Sequence, residues 1–227
     1  MGTKTIELVI FDMDGLMFDS ERISVYAWRK AAEGYGYDFT EEIFKETLGL
    51  NLEKIREVFY KYFGEDCPYD EIKLQRRDLI DRYVTEKGVP VKKGLFNLVE
   101  ALKKRNIKTA VATSSSRDTA EKMLKLSKAF PYFDSVVCGD EVKKSKPDPE
   151  IFLIAADKLK CLPENCIVLE DSEAGIMAAY SAGMMPLLVP DMKEPGDEVR
   201  ALAYKVFADL DEVKDFIITT GMNASKI

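Results

Sequence analysis

The run Glu7-Leu8-Val9-Ile10-Phe11 is apolar at every position after Glu7 and stops abruptly at Asp12-Met13-Asp14-Gly15. An unbroken apolar run rich in β-branched and large side chains predicts a strand buried on both faces. From Ser20 to about Lys87 the pattern changes. Apolar residues such as Ile23, Ala27, Trp28 and Ala31 recur at three- and four-residue spacings in a charge-rich stretch, which predicts helices. Breaks at Gly34-Tyr35-Gly36, Gly49, Gly64 to Pro68 and Gly88 to Pro90 divide this block into about four helices, enough for a small bundle.

After Pro90 helix and strand alternate. Helices are predicted over Leu95 to Arg105, Asp118 to Ser127, Glu150 to Lys160 and Ala174 to Ala182. Strands are predicted over Thr109 to Thr113, Ser135 to Cys138, Cys166 to Glu170 and Met185 to Val189. Such alternation builds a parallel sheet covered on both faces, and the strand Glu7 to Phe11 must join it. The helical block is therefore an insert within an α/β domain.

Charge and composition narrow the function. Across 227 residues, 40 acidic against 33 basic residues leave a net charge of −7. That balance, with no basic stripe, argues against a nucleic-acid surface. The absence of histidine removes the usual general base, a Ser-His-Asp triad and histidine-ligated zinc. Acid–base work falls to carboxylates or lysines. Cys67, Cys138, Cys161 and Cys166 form no Cys-x-x-Cys pair and read as buried free thiols of a reducing compartment. With no apolar signal core before the first strand and no long apolar span, a soluble cytoplasmic protein without a membrane partner is expected. Asn223-Ala224-Ser225 has the form of a glycosylation acceptor, which matters only in a secreted chain.

In open parallel sheets ligands bind beyond the carboxyl ends of the strands. There the first strand offers Asp12 and Asp14, the second Thr113-Ser114, and the fourth Glu170-Asp171-Ser172, while Lys146 arrives on the loop after the third. Each has an ordinary reading: an Asx-type turn at Asp12 to Gly15, helix caps at Ser114 to Ser116 and at Asp171 or Ser172, a solvated loop around Lys146. Together they put several acids, a hydroxyl and a lysine at one rim. Two carboxylates about 4 Å apart repel by roughly 4 kcal/mol at an effective dielectric near 20, and a hard divalent cation offsets that. The combination suits phosphoryl transfer, with magnesium among the carboxylates, and with Lys146, Thr113 and the backbone near Ser114 on the phosphoryl oxygens.

These segments resemble the haloacid dehalogenase-like superfamily, in the branch of β-phosphoglucomutase-like and sugar-phosphate phosphatases with a helical cap after the first strand. The resemblance rests on Asp12-Met13-Asp14-Gly15, Ala112-Thr113-Ser114, Ser145-Lys146-Pro147-Asp148-Pro149 and Leu169-Glu170-Asp171-Ser172-Glu173-Ala174-Gly175, in that order. It implies a Rossmann-like core over 1–18 and 88–227 and an all-helical cap over 19–87. It implies that Asp12 is the nucleophile that forms an aspartyl-phosphate and Asp14 the acid–base residue, with Thr113 and Lys146 binding the phosphoryl group. Magnesium is then held by Asp12, the carbonyl of Asp14 and Asp171, with Glu170 as a further ligand or partner. Because dehalogenase and phosphonatase members lack an aspartate at the place of Asp14, phosphate esters are the expected substrates.

Departures from the mutase pattern favour hydrolysis over mutation. Ser24 stands where the mutase has a cap histidine, and the positions of its distal-phosphate-gripping basic residues fall on Leu48 and Leu52. The expectation is thus a magnesium-dependent phosphatase of a small phosphorylated metabolite, acting as a monomer. A sugar phosphomutase is the alternative, followed by a non-catalytic phosphate-binding protein. On the cap, Arg22 and Ser24 are the candidates for reading the substrate, while Trp28 matches the apolar stripe of its helix and reads as core.

Overall fold

The computed structural model describes residues 5–48, 50 and 52–220, with only the backbone of residue 52. The break at Gly49, the side chain of Leu52 and the sequon at Asn223 lie outside the described residues. The chain divides into two compact units, one of residues 1–19 and 90–227 and one of residues 20–89.

In chain order, β1 (Leu8–Phe11) belongs to the first unit and α1 (Ser20–Glu33), α2 (Glu41–Thr47), α3 (Leu52–Phe63) and α4 (Tyr69–Lys87) make up the second. The first unit then continues with α5 (Leu95–Lys104), β2 (Lys108–Thr113), α6 (Arg117–Leu126), β3 (Ser135–Cys138), α7 (Glu150–Lys158), β4 (Cys166–Glu170), α8 (Glu173–Ser181) and β5 (Met185–Leu188). It ends with α9 (Asp197–Arg200), β6 (Lys205–Val206) and α10 (Leu210–Thr219).

The six strands form one parallel sheet in the order β3-β2-β1-β4-β5-β6. Every residue of β1, β4 and β5 is buried, which is why these strands read as apolar runs, broken only by Glu170 at the end of β4. On one face Leu8, Ile10, Ala110, Ala112 and Val168 pack with Ile151, Phe152 and Ala155 of α7 and Ala178 and Ala179 of α8. The chain leaves β1 for β2 on one side and returns as β4 on the other, so the carboxyl end of β1 lies at the point where strand order reverses, where open sheets open a crevice.

The expected elements are present, with shifts of one or two residues at their ends. The largest is in α7, which stops at Lys158 and not at Lys160, because Lys160 adopts a φ of 56° and the amide of Cys161 turns back to bond Ala156 O at 3.0 Å. Three elements beyond Val189, namely α9, β6 and α10, were not expected.

In the helical unit the apolar stripe of α1 is buried through Ile23, Ala27, Trp28, Ala31 and Ala32. Trp28, 1% exposed, lies 4.9 Å from the ring of Phe59 and about 6 Å from Phe39 and Tyr69, forming an aromatic core as its spacing foretold. Among the described residues no helix is long and apolar enough to cross a membrane.

Candidate active site

Four segments of the sheet unit converge at the carboxyl ends of β1, β2 and β4. Asp12 follows β1 directly and its amide bonds Leu169 O at 3.0 Å, which carries the β1–β4 ladder one residue past the strand. Gly15, at φ +82°, then turns the chain, and its amide closes on Phe18 O at 3.0 Å. The lack of a side chain there has a second use. A Cβ on Gly15 would lie 2.2 Å from Asp171 Oδ2, so glycine lets the loop after β4 come close to the loop after β1.

Lys146 is the centre of the charge arrangement. Its ammonium donates to Asp12 Oδ1 at 2.5 Å, to Glu170 Oε1 at 2.6 Å and to Ala112 O at 3.1 Å, so all three of its protons have acceptors. It also lies 4.9 Å above the ring of Phe152. The peptide bond Lys146–Pro147 is cis. The side chains are 6% exposed for Lys146, 10% for Asp12 and 1% for Glu170. Glu170 is further fixed through Oε2 by the amide of Ser172 at 3.1 Å and its hydroxyl at 2.9 Å, while Ser172 Oγ accepts from Gly175 N and caps α8.

Burial disfavours the charge of Lys146, but Asp12 and Glu170 outweigh it and hold its pKa above the ordinary lysine value. Asp12 is pushed up to about 8, first by burial and then, against the opposing pull of Lys146, by the negative charges of Glu170 and Asp14. We take Lys146 as the cation, because Glu170 and Ala112 O hold it whatever the state of Asp12. The ammonium of Lys146, donating at 2.5 Å, favours Asp12 as a carboxylate, in a site short of positive charge. Asp12, Glu170 and Asp171 each present a carboxylate oxygen, all within 4.8 Å of one another. Three hard oxygen donors in an over-acidic pocket fit a hard divalent cation.

Asp14 is half-buried. Its Oδ2 accepts from the Ser115 hydroxyl at 2.8 Å and lies 3.5 Å from Thr113 Oγ1, which in turn accepts from Ser115 N at 3.0 Å. Asp12, Asp14, Thr113, Lys146, Glu170 and Asp171 therefore gather at one rim of the sheet unit. Ser114 is exposed, and its carbonyl abuts Gly139. Arg22 and Ser24 belong to the helical unit, where Arg22 is exposed and Ser24 Oγ accepts from Arg76 Nη2 at 2.8 Å.

Ser115, the carbonyl of Ala112 and the ring of Phe152 were not expected in the site. Ser115 lies in a run of three serines that offers no means of choosing among them. A second acidic group, Cys138, Asp140 and Glu141, is already answered by cations. Arg117 bonds Asp140 through its amide and Glu141 through its guanidinium, Lys158 reaches Glu141 at 2.7 Å, and burial pushes the Cys138 thiol up to about 11.

Comparisons with known proteins place relatives along most of the chain. The profile of the haloacid dehalogenase-like hydrolase family matches residues 9–189. A phosphorylated carbohydrates phosphatase of Thermotoga maritima is 35% identical over 79% of this chain and 82% of its own. A β-phosphoglucomutase of Bacillus subtilis is 34% identical over 79% of this chain and 81% of its own. Among solved structures, one described as a putative β-phosphoglucomutase from Thermotoga maritima superposes with a TM-score of 0.81 at 30% identity, covering 94% of this chain and 99% of that one.

Proposed function

This chain belongs to the haloacid dehalogenase-like hydrolases, and from that premise we propose that it is a magnesium-dependent phosphatase that hydrolyses a small phosphorylated metabolite through an aspartyl-phosphate on Asp12. The observation that carries the reading is the hold on Asp12, whose Oδ1 is tied to Lys146 at 2.5 Å. That bond fixes the carboxylate and leaves Oδ2 to attack.

The chemistry runs in two halves. Asp12 attacks phosphorus, the ester P–O bond breaks, and protonated Asp14 gives its proton to the departing oxygen. Asp14, now a carboxylate, takes a proton from water, whose oxygen attacks the same phosphorus and frees Asp12 and inorganic phosphate. Thr113, the backbone at Ser114 and Lys146 hold the phosphoryl oxygens, Lys146 by sharing protons it otherwise gives to carboxylates. Asp12, Asp171 and the carbonyl of Asp14 would bind magnesium, with Glu170 as ligand or partner. The metal when bound supplies charge neutralisation for the carboxylates and the phosphoryl oxygens.

Residues 19–87 are proposed to act as a cap that admits substrate and excludes bulk water, with hinges where the chain passes between units near Phe18 to Ser20 and Gly88 to Pro90. Arg22 and Ser24 are its proposed substrate-reading residues. We propose a monomeric cytoplasmic enzyme, and the four buried free cysteines support a reducing compartment.

The test is phosphate release from a panel of glucose 1-phosphate, glucose 6-phosphate, fructose 1-phosphate, a nucleoside 5′-phosphate and p-nitrophenyl phosphate, with magnesium and with chelator. Release that needs magnesium and falls by about 10⁴-fold or more in Asp12→Asn, in a protein of unchanged circular dichroism, is expected. Wild-type release by Asp12→Asn would refute the covalent route. The mutase reading, kept by the Bacillus subtilis relative, is tested with β-glucose 1-phosphate and a trace of the 1,6-bisphosphate. Efficient formation of glucose 6-phosphate would overturn hydrolysis as the reaction.

A further inference from the structure

The same site contains a hydroxyl for which the reaction above has no role. Ser115 Oγ donates to Asp14 Oδ2 at 2.8 Å, a shorter bond than the 3.5 Å from Thr113 Oγ1. The backbone around Ser115 is secured on both sides. Its amide donates to Thr113 Oγ1 at 3.0 Å, and its carbonyl accepts from Gly139 N at 2.9 Å. Gly139 allows this approach of β2's loop to the end of β3, since a Cβ there would lie 2.2 Å from Ser114 O. Ser115 is thus a fixed point, and Asp14, on a tight turn closed by a bridge to Phe18, is held against it.

We propose that Ser115 is the positioning residue of Asp14, holding its carboxyl group in one orientation through both halves of the catalytic cycle. The inference rests on the acid–base reading of Asp14. The choice of a hydroxyl is what makes it work. A lysine or arginine would bind only the carboxylate and would oppose its protonation. A serine hydroxyl has one proton to donate and lone pairs to accept, so it donates to Asp14 as a base and accepts from Asp14 as an acid. The same contact therefore survives the proton transfer. In this role Ser115 does not touch the reacting phosphorus. It keeps the proton of Asp14 aimed at the oxygen that leaves and then at the water that arrives.

The experiment compares Ser115→Ala, Ser115→Thr and Asp14→Asn on two esters with magnesium: the sugar phosphate of the panel that the wild type hydrolyses fastest, and p-nitrophenyl phosphate, whose leaving group needs little protonation. Loss of one neutral hydrogen bond predicts a fall in kcat of about threefold to tenfold for Ser115→Ala on the sugar phosphate. A smaller fall is expected in the release of p-nitrophenol during the first turnover, with KM within about twofold of wild type on both. Ser115→Thr, which keeps the hydroxyl, should recover most of the rate. Equal losses on both esters, or a rise in KM with kcat intact, would overturn the proposal, the latter by showing that Ser115 reads the substrate. Failure of the two readings is distinguishable. If Asp14→Asn shows the leaving-group dependence and Ser115→Ala does not, the positioning role alone is wrong. If Asp14→Asn turns over like wild type, Asp14 is not the acid–base residue and the proposal falls with it.

Discussion

The ion pairs at the rim of the sheet unit and those of the helical unit are made of the same side chains in opposite surroundings. Lys146, Asp12 and Glu170 meet with side chains 6%, 10% and 1% exposed, whereas Lys61 and Glu46 of the helical unit pair at 2.7 Å with 60% and 40% exposure. The helical unit fills its interior with Trp28, Phe39, Phe59 and Tyr69 and leaves charge outside. The sheet unit takes charge inside at the rim where three strands end. Burying carboxylates side by side works against folding, so the contrast marks the rim as a place shaped by chemistry and the bundle interior as one shaped by packing.

The sharpest way to break the comparison is to alter the rim without altering its shape. Asp14→Asn keeps size and the backbone carbonyl but removes the proton-carrying group, a loss of about 10²–10⁴-fold in steady turnover. First-turnover release from p-nitrophenyl phosphate should suffer less than release from a sugar phosphate. A burst followed by a near-stalled steady state should appear on rapid mixing, because hydrolysis of the aspartyl-phosphate still lacks its base. Magnesium affinity, followed by calorimetry, should survive. No burst, equal slowing of both esters and lost magnesium affinity would show Asp14 serving the metal and not the proton.

A second measurement sets the two kinds of ion pair against each other by urea unfolding. Lys146→Met leaves Asp12 and Glu170 buried without their cation and should cost about 3–5 kcal/mol in metal-free protein. Magnesium should return part of that stability by binding the folded state. Lys61→Ala, which leaves Glu46 its bond from Tyr62, should move the unfolding midpoint within assay scatter. Equal effects of the two variants would remove the distinction between the units.

Much of this division is legible in the sequence, for physical reasons that differ by region. β1 and β4 announce themselves because burial on both faces demands apolar residues along them, and the polar residues at their ends, Asp12 just after β1 and Glu170-Asp171 at the close of β4, then stand out. Trp28 declares its core position by helical spacing. β6 is two residues long with Lys205 exposed, so no periodicity exists to be read. α10 does carry a signature, an N-cap at Asp209 whose Oδ1 accepts from Glu212 N at 3.0 Å before the buried Leu210, Val213 and Ile217. The partnership of Ser115 with Asp14 spans 101 residues and depends on which of three adjacent serines the loop turns inward, which no local pattern encodes.

The helical unit has its own large effect, and it should come from packing. Trp28→Ala removes the ring around which Phe39, Phe59 and Tyr69 are arranged, at a cost of about 3–5 kcal/mol. Arg76, whose guanidinium sits 4.7 Å above that ring, loses its platform as well. Trp28→Phe, which keeps an aromatic in place, should recover most of the loss. If both variants unfold at the same urea concentration as wild type, the aromatic cluster is not what holds the bundle.

The smallest expected effects come from one device used in both units, the side-chain cap at a helix start. Ser172 caps α8 through a 3.1 Å bond from Gly175 N, and Thr40 caps α2 through a longer 3.4 Å bond from Ile43 N. Ser172 also donates at 2.9 Å to the fully buried Glu170. Ser172→Ala therefore removes a cap and a hydrogen bond to a buried charge, roughly 2–3 kcal/mol together. Thr40→Ala removes only a long cap bond from a seven-residue helix whose Ile43 and Phe44 remain packed, about 0.5 kcal/mol. Ser172→Ala should also weaken magnesium binding, because Glu170 loses one of the groups that aim it, while Thr40→Ala should leave that binding unchanged. Equal stability losses from the two substitutions would mean that a helix cap is worth the same in either unit and that the buried charge beside Ser172 adds nothing to it.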